Sequence, residues 1–164
     1  MTGINDVDNL IIHLRKHRQV LGKICAYLAS LWDVEAAQQK PGTTQSLAAA
    51  QAITNYYTCV ETIFHRIAQF CKTEPHGAHW HTDLLDSMTV ALEECRPAII
   101  DDSVAADLRE LLRFRHFTRY YFQFEFDWER LSLQKKTVMR SAGKLAAALD
   151  EFEAFLQGVR QSNE

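Results

Sequence analysis

Apolar residues recur at helical spacing through most of the chain. From a start at Asn5 or Asp6, either of which can cap a helix, to about Trp32, the stripe is Val7, Leu10, Leu14, Leu21, Ile24, Leu28 and Leu31. Gly22 lies inside this stretch, where it would bend the helix or admit a close neighbour. Met1–Gly3 reads as a loose end. Asp33–Thr44 is polar and holds the breaker pair Pro41-Gly42. A second helix is expected from about Thr44 to Lys72, with Leu47, Ile53, Tyr57, Val60, Phe64, Ile67 and Cys71 on its apolar side. Thr73–His79 contains Pro75 and Gly77 and reads as a loop. A third helix is expected over roughly Trp80–Glu94, with Leu84, Leu85, Met88 and Leu92 inward. Pro97 interrupts, and Asp101-Asp102-Ser103 restarts a helix with a capping signature that runs to about Tyr121. The aromatic stretch Phe122–Asp127 ends it. Asp127 then caps a last helix over roughly Trp128–Leu156, with Leu131, Val138, Leu145, Leu149, Phe152 and Phe155 buried. The pattern predicts an all-α, antiparallel up-and-down bundle of about five helices.

Composition narrows this picture. The 164 residues fit one domain over 1–164, and 47% are apolar, enough for a core. Gly (6) and Pro (3) are too scarce for the many turns of an all-β fold. There is no internal repeat, low-complexity segment or linker. The net charge of −3 gives no global basic field, so an RNA site must be local or shared between subunits. No apolar run approaches the length of a membrane span, and the N-terminus lacks a basic-then-apolar leader pattern. A cytoplasmic protein is expected. Its cysteines, Cys25, Cys59, Cys71 and Cys95, form no C-x-x-C pair and read as reduced thiols, mostly filling the core.

The densest chemistry lies between Arg109 and Asp127. Arg109, Arg113 and His116 share one face of the expected helix, and Arg115 and Arg119 another. Arginine binds phosphate in a bidentate fashion without losing its proton. Histidine exchanges protons near neutral pH, and aromatic rings can stack on unpaired bases. Such a face is more often merely solvated, and the run Tyr120–Phe126 is more often core or dimer interface. Asn55, Tyr56, Tyr57 and Glu61 stand at helical spacing in the second helix. A buried Glu61 needs a partner, and the arginines of the fourth helix are natural ones. Asn55 and Glu61 are therefore expected either to orient Arg115 or Arg113, or to form a structural bridge. His76, His79 and His81 in the loop around Trp80 could bind a metal, as could His13 and His17 one turn apart. A polar surface is the simpler reading of both, and neither a metal nor a cofactor is expected.

The run Arg113-Phe114-Arg115-His116-Phe117-Thr118-Arg119-Tyr120, continued by Phe124-Glu125-Phe126-Asp127-Trp128-Glu129, resembles the signature of the HepT-like branch of the HEPN superfamily. Asn55-Tyr56-Tyr57-Thr58 through Glu61, Ile63-Phe64 and Ile67-Ala68 is similar to that family's second helix. Trp80-His81 through Leu84-Leu85 and Met88, then Arg96-Pro97, is similar to its middle segment. The resemblance implies a HEPN-like helical bundle that forms a homodimer, with two copies of the motif in one cleft. It implies a toxin of a toxin–antitoxin pair that cleaves RNA without a metal. Arg115 would hold the scissile phosphate, with Arg109, Arg113 and Arg119 as further phosphate contacts, and the RNA's own 2′-OH would attack. The implied partner is a minimal nucleotidyltransferase antitoxin that transfers AMP to a tyrosine near the motif, for which Tyr121 is the candidate.

The motif's second histidine falls at Tyr120 in this chain, and the tyrosine expected two residues later is Phe122. Tyrosine titrates ordinarily near about 10, which makes it a poor proton shuttle at neutral pH. Three readings stay open. His116 takes the acid–base role; or Tyr120 or Tyr121 contributes only a hydrogen bond; or the site is degenerate and the bundle binds the nucleotidyltransferase, or merely dimerises, without cleaving RNA.

Overall fold

The computed structural model describes residues 4–33 and 41–162. They form α1 (Ile4–Asp33), α2 (Thr43–Phe70), α3 (Trp80–Ser87), α4 (Asp102–Tyr120) and α5 (Trp128–Ser162). No strand stands among the described residues. The all-α bundle predicted from the apolar spacing is what forms. The expected loose end at Met1–Gly3 and most of the polar Asp33–Thr44 stretch lie outside the described residues.

α2 is the central element because it is apolar on more than one side. Ile53, Tyr56, Tyr57, Val60, Ile63, Phe64 and Ile67 are all buried, and α2 packs against each of the other four helices. α1 and α4 flank it, and α5 closes the ring by touching α1, α2 and α4. Burial of this shared stripe drives the assembly, since each large aliphatic or aromatic side chain removed from water contributes about 1.5–3 kcal/mol. Deep in the core the Tyr56 hydroxyl meets Ser141 Oγ at 3.2 Å, so its polar end is satisfied. At one end of the bundle Trp32 stacks on Trp128 with ring centroids 4.2 Å apart, and its indole N–H donates to Ser132.

Several boundaries differ from those expected. α1 already includes Ile4, so Asn5 and Asp6 sit inside its first turn rather than before it. α5 continues past Leu156 to Ser162, and Leu149, Phe152 and Leu156 keep its far half against the bundle. The largest difference is α3, which stops at Ser87 instead of near Glu94. The reason is Arg96. Its guanidinium is buried and donates to the carbonyls of Ser87, Val90 and Pro97 at 2.9–3.1 Å. The chain after Ser87 wraps around this charge in turns, with its carbonyls aimed at the guanidinium rather than along a helix axis. Asp101 caps α4 as expected, accepting from the Val104 amide at 2.8 Å. Asp127 likewise accepts from the Glu129 amide at the start of α5.

The cysteines correct another expectation. Cys25 and Cys59 are free thiols, but Cys71 and Cys95 form a disulfide. Two sulfurs far apart in sequence meet because the end of α2 and the turns after α3 fold onto each other. The bond closes the loop that carries α3. Gly22 makes no close approach, for a Cβ there would meet nothing within 4 Å. It lines a cavity of about 520 Å³ between α1 and α5, with Leu21, Tyr56, Ala142 and Leu145. Among the described residues no helix is long and apolar enough to cross a membrane.

Candidate functional site

The site is assembled where α2, α3 and α4 meet, around one carboxylate. Glu61 sits on the inward side of α2 and is buried. Its Oε2 lies 2.6 Å from Nδ1 of His81, in the first turn of α3. Its Oε1 lies 3.8 Å from a terminal nitrogen of Arg115 on α4. Arg115 Nε also donates to Thr58 Oγ1 at 3.1 Å, one turn before Glu61 on α2. Thr118 and Thr54 continue this α2–α4 seam with hydroxyls 3.3 Å apart. A buried carboxylate is costly unless paired, and here it holds a cation or potential cation on each oxygen.

Two aromatic groups frame this centre. The Tyr57 phenol is pushed well above its ordinary value, first by burial and then by the nearby Glu61 charge, with Arg115 opposing. It stays neutral and forms a low-dielectric wall. Trp80 stacks on the His81 ring, with centroids 3.6 Å apart, and fixes its plane.

The other residues singled out in the motif sort by exposure. His116 and Tyr120 both face solvent, one turn apart, with ring centroids 5.0 Å apart. Arg113 and Arg119 are exposed, and neither has an ion pair or hydrogen bond among the described residues. Arg109 is different, because it bridges to Asp86 at 2.6 Å and so ties α4 to α3. Tyr121 is half-buried between Phe117 and Phe126, and its hydroxyl donates to the Glu125 carbonyl. Asn55 faces the α1 side, where its amide oxygen accepts from Gln51. It lines a shallow groove there with Val20 and Tyr27. Arg115 and Glu61 are therefore brought together, His116 and Tyr120 form a separate exposed pair on the same helix as Arg115, and Asn55 has its own partner, Gln51.

The sequence puts His81 in a cluster with His76 and His79, at the start of the third helix and in the segment that resembles the family, and assigns it no carboxylate partner. In the fold it leaves that cluster and joins Glu61. Among the described residues no group of three His, Cys, Asp or Glu side chains is placed to hold a metal ion. Its signal in the sequence was the Trp80-His81 pair at the start of a helix, but which carboxylate it meets depends on packing. His13 and His17 remain a surface pair, with the His17 ring nitrogen 2.8 Å from the His13 carbonyl.

Beyond α4 lies an exposed aromatic patch. Tyr120, Phe122 and Phe124 are 63%, 85% and 68% exposed, and Leu133 of α5 is exposed as well.

No curated protein and no solved structure matches this chain. A family model does. The HepT-like protein model matches residues 48–156, which takes in most of α2, all of α3 and α4, most of α5 and every residue of the Glu61–His81–Arg115 centre. Two thirds of the sequence, the all-α architecture and the α4 motif thus agree, and the chain belongs to the HepT-like family of HEPN-type helical proteins.

Proposed function

We propose that this protein is a toxin-type, metal-independent endoribonuclease that works at a cleft between two copies of the chain. The observation that carries the reading is the position of Arg115. Its guanidinium is held at the α2–α4 seam by Thr58 and Glu61, next to the exposed rings of His116 and Tyr120. A guanidinium fixed in advance loses little freedom on binding a phosphate. It also opposes the negative charge that grows as a phosphodiester is attacked. Exposed Arg113 and Arg119 extend the positive surface along the same helix, as tracking a nucleic-acid backbone requires. Arg109, spent on Asp86, ties α4 to α3 and leaves little charge for the RNA. In this reading His116 exchanges a proton with the substrate and Tyr120 donates a hydrogen bond. The RNA's 2′-oxygen is the nucleophile, which is why no metal is needed.

The aromatic patch at Tyr120, Phe122, Phe124 and Leu133 is the surface we assign to the homodimer. It adjoins the motif, so a second copy seated there would bring two motifs together. The partner that silences the toxin is, in this reading, a nucleotidyltransferase antitoxin. Transfer of AMP to Tyr121 would first have to release its hydroxyl from the Glu125 carbonyl. Tyr120 is the more open acceptor. The compartment proposed is the cytoplasm, whose reducing conditions oppose the Cys71–Cys95 disulfide, so the thiol state of this pair in the cell tests the assignment.

Tyr120 in the place of a histidine favours a second reading, a bundle that binds the nucleotidyltransferase without cleaving RNA. Incubating the protein with mixed RNA in EDTA, beside Arg115→Ala, separates the two. Cleavage by the wild type alone supports the nuclease. Intact RNA in both lanes, with stable binding of the nucleotidyltransferase, supports the binding module.

A further inference from the structure

Cleavage of RNA by its own 2′-hydroxyl needs two proton transfers. The 2′-oxygen loses its proton as it bonds to phosphorus, and the 5′-oxygen gains one as its bond to phosphorus breaks. The α4 motif of this chain offers one histidine, His116, with a tyrosine where the other would stand. We propose that His81 of α3 is the second proton-transfer group, acting as the general base through Nε2. The inference rests on the ribonuclease reading and deepens it.

The geometry supports the role atom by atom. Nδ1 of His81 lies 2.6 Å from Glu61 Oε2, so Nδ1–H donates to the carboxylate and the neutral ring keeps its lone pair on Nε2. Among the described residues nothing hydrogen-bonds to Nε2, and the side chain is 26% exposed. Glu61 is buried, so its charge is poorly screened and stabilises the imidazolium that forms when Nε2 takes a proton. The stacked Trp80 ring keeps the imidazole from swinging away. Arg115 stands on the other oxygen of the same carboxylate. In the proposed step a phosphate gripped by Arg115 has its ribose within reach of Nε2.

The step balances without a further reactant. The 2′-hydroxyl proton moves to His81 Nε2, and the 2′-oxygen forms its bond to phosphorus. The bond from phosphorus to the 5′-oxygen breaks, and His116 supplies the proton that oxygen takes up. The products are a 2′,3′-cyclic phosphate and a 5′-hydroxyl end, and solvent returns both histidines to their starting states. The duty of the absent motif histidine has moved from α4 to α3.

The test is His81→Asn, whose amide can still donate to Glu61 but cannot take a proton. The expected result is a fall in kcat of about 100-fold or more, with KM nearly unchanged. The acidic limb of the pH–rate profile should go with it, while thermal unfolding stays close to that of the wild type. Imidazole in the buffer should restore part of the rate to His81→Gly. Cleavage by His81→Asn at the wild-type rate, or with the wild-type pH profile, would overturn the assignment and leave the ribonuclease reading intact. A fall in rate that only parallels a fall in Tm, with no imidazole rescue, would reduce the Glu61–His81 pair to a structural tie. A wild type that leaves RNA uncut would remove the ribonuclease reading and this step with it.

Discussion

On the α1–α5 surface, Arg15 and Arg18 are both committed to acidic residues of α5. Arg15 meets Glu153 at 2.7 Å, and Arg18 meets Asp150 and Glu153. On α4, one turn beyond Arg109, the chain again presents arginines, but Arg113 and Arg119 form no ion pair among the described residues. The two surfaces carry the same residue type and differ in what faces it. Arginines matched by carboxylates tie helices together and leave little field behind. Arginines left unmatched on an acidic protein keep their charge available to an anionic ligand. Arg115 and Arg96 extend the contrast inward. Arg115 is held by a hydroxyl and a distant carboxylate, with donors to spare. Arg96 is buried and has carbonyls on both terminal nitrogens, and burial lowers its pKa from the ordinary arginine value.

If this division between structural and available arginines is right, Arg115→Ala has the largest effect on function. RNA cleavage should fall by about 100- to 1,000-fold, as when a donor to a developing oxyanion is removed. Single-turnover rates at saturating RNA would measure it. Arg96→Ala should show the opposite profile. It removes a buried side chain and its three bonds to carbonyls of the turn, and should lower stability by about 3 kcal/mol, seen as a shifted denaturant midpoint. The folded fraction should keep its specific activity. An Arg96→Ala protein as stable as the wild type would break the comparison at its structural end.

The surface arginines give smaller effects. Replacing Arg113 and Arg119 together should weaken RNA binding about 10-fold near physiological salt, and should flatten the dependence of affinity on salt. Thermal stability should not move. The matching double change at Arg15 and Arg18 should leave RNA binding alone and lower stability by no more than about 1 kcal/mol, because exposed pairs contribute little. Equal losses of RNA affinity from the two double variants would show that only net charge matters.

The smallest effect concerns His13, on α1. Its pKa lies below the ordinary histidine value, first through desolvation and then through the charges of Arg66, His17 and Lys16. The folded state thus binds its proton less readily than the unfolded chain does. Stability should be retained above the ordinary histidine value and fall as pH drops through it towards the lowered one. His13→Gln should reduce that fall in Tm between neutral and mildly acidic buffer. A variant with the wild-type pH dependence would assign the fall to other groups.

Much of this molecule was legible in its amino-acid order. The apolar stripes marked each of the described helices, Asp101 and Asp127 marked two helix starts, and the run from Arg113 to Glu129 marked the family. These are local signals, because helix periodicity and capping depend on residues within a few positions of one another. The same local reasoning failed at Met88–Glu94, where an apolar stripe continued but Arg96 drew the carbonyls into a turn. It failed at Cys71 and Cys95, which became neighbours only when the end of α2 met the turns after α3.

The centre of the site shows the limit most clearly. Glu61 announced a need for a cationic partner, and Arg115 was a plausible one. That His81 would take the other carboxylate oxygen was not written in any spacing. Its loop offered three histidines, and the docking of α3 against α2 selected one of them. Patterns along the chain set the helices, their ends and the motif on α4, since those rest on nearest neighbours. Packing set which side chains share a carboxylate, which arginines are left unmatched and which cysteines bond. Those outcomes depend on distances between segments that sequence separation does not encode.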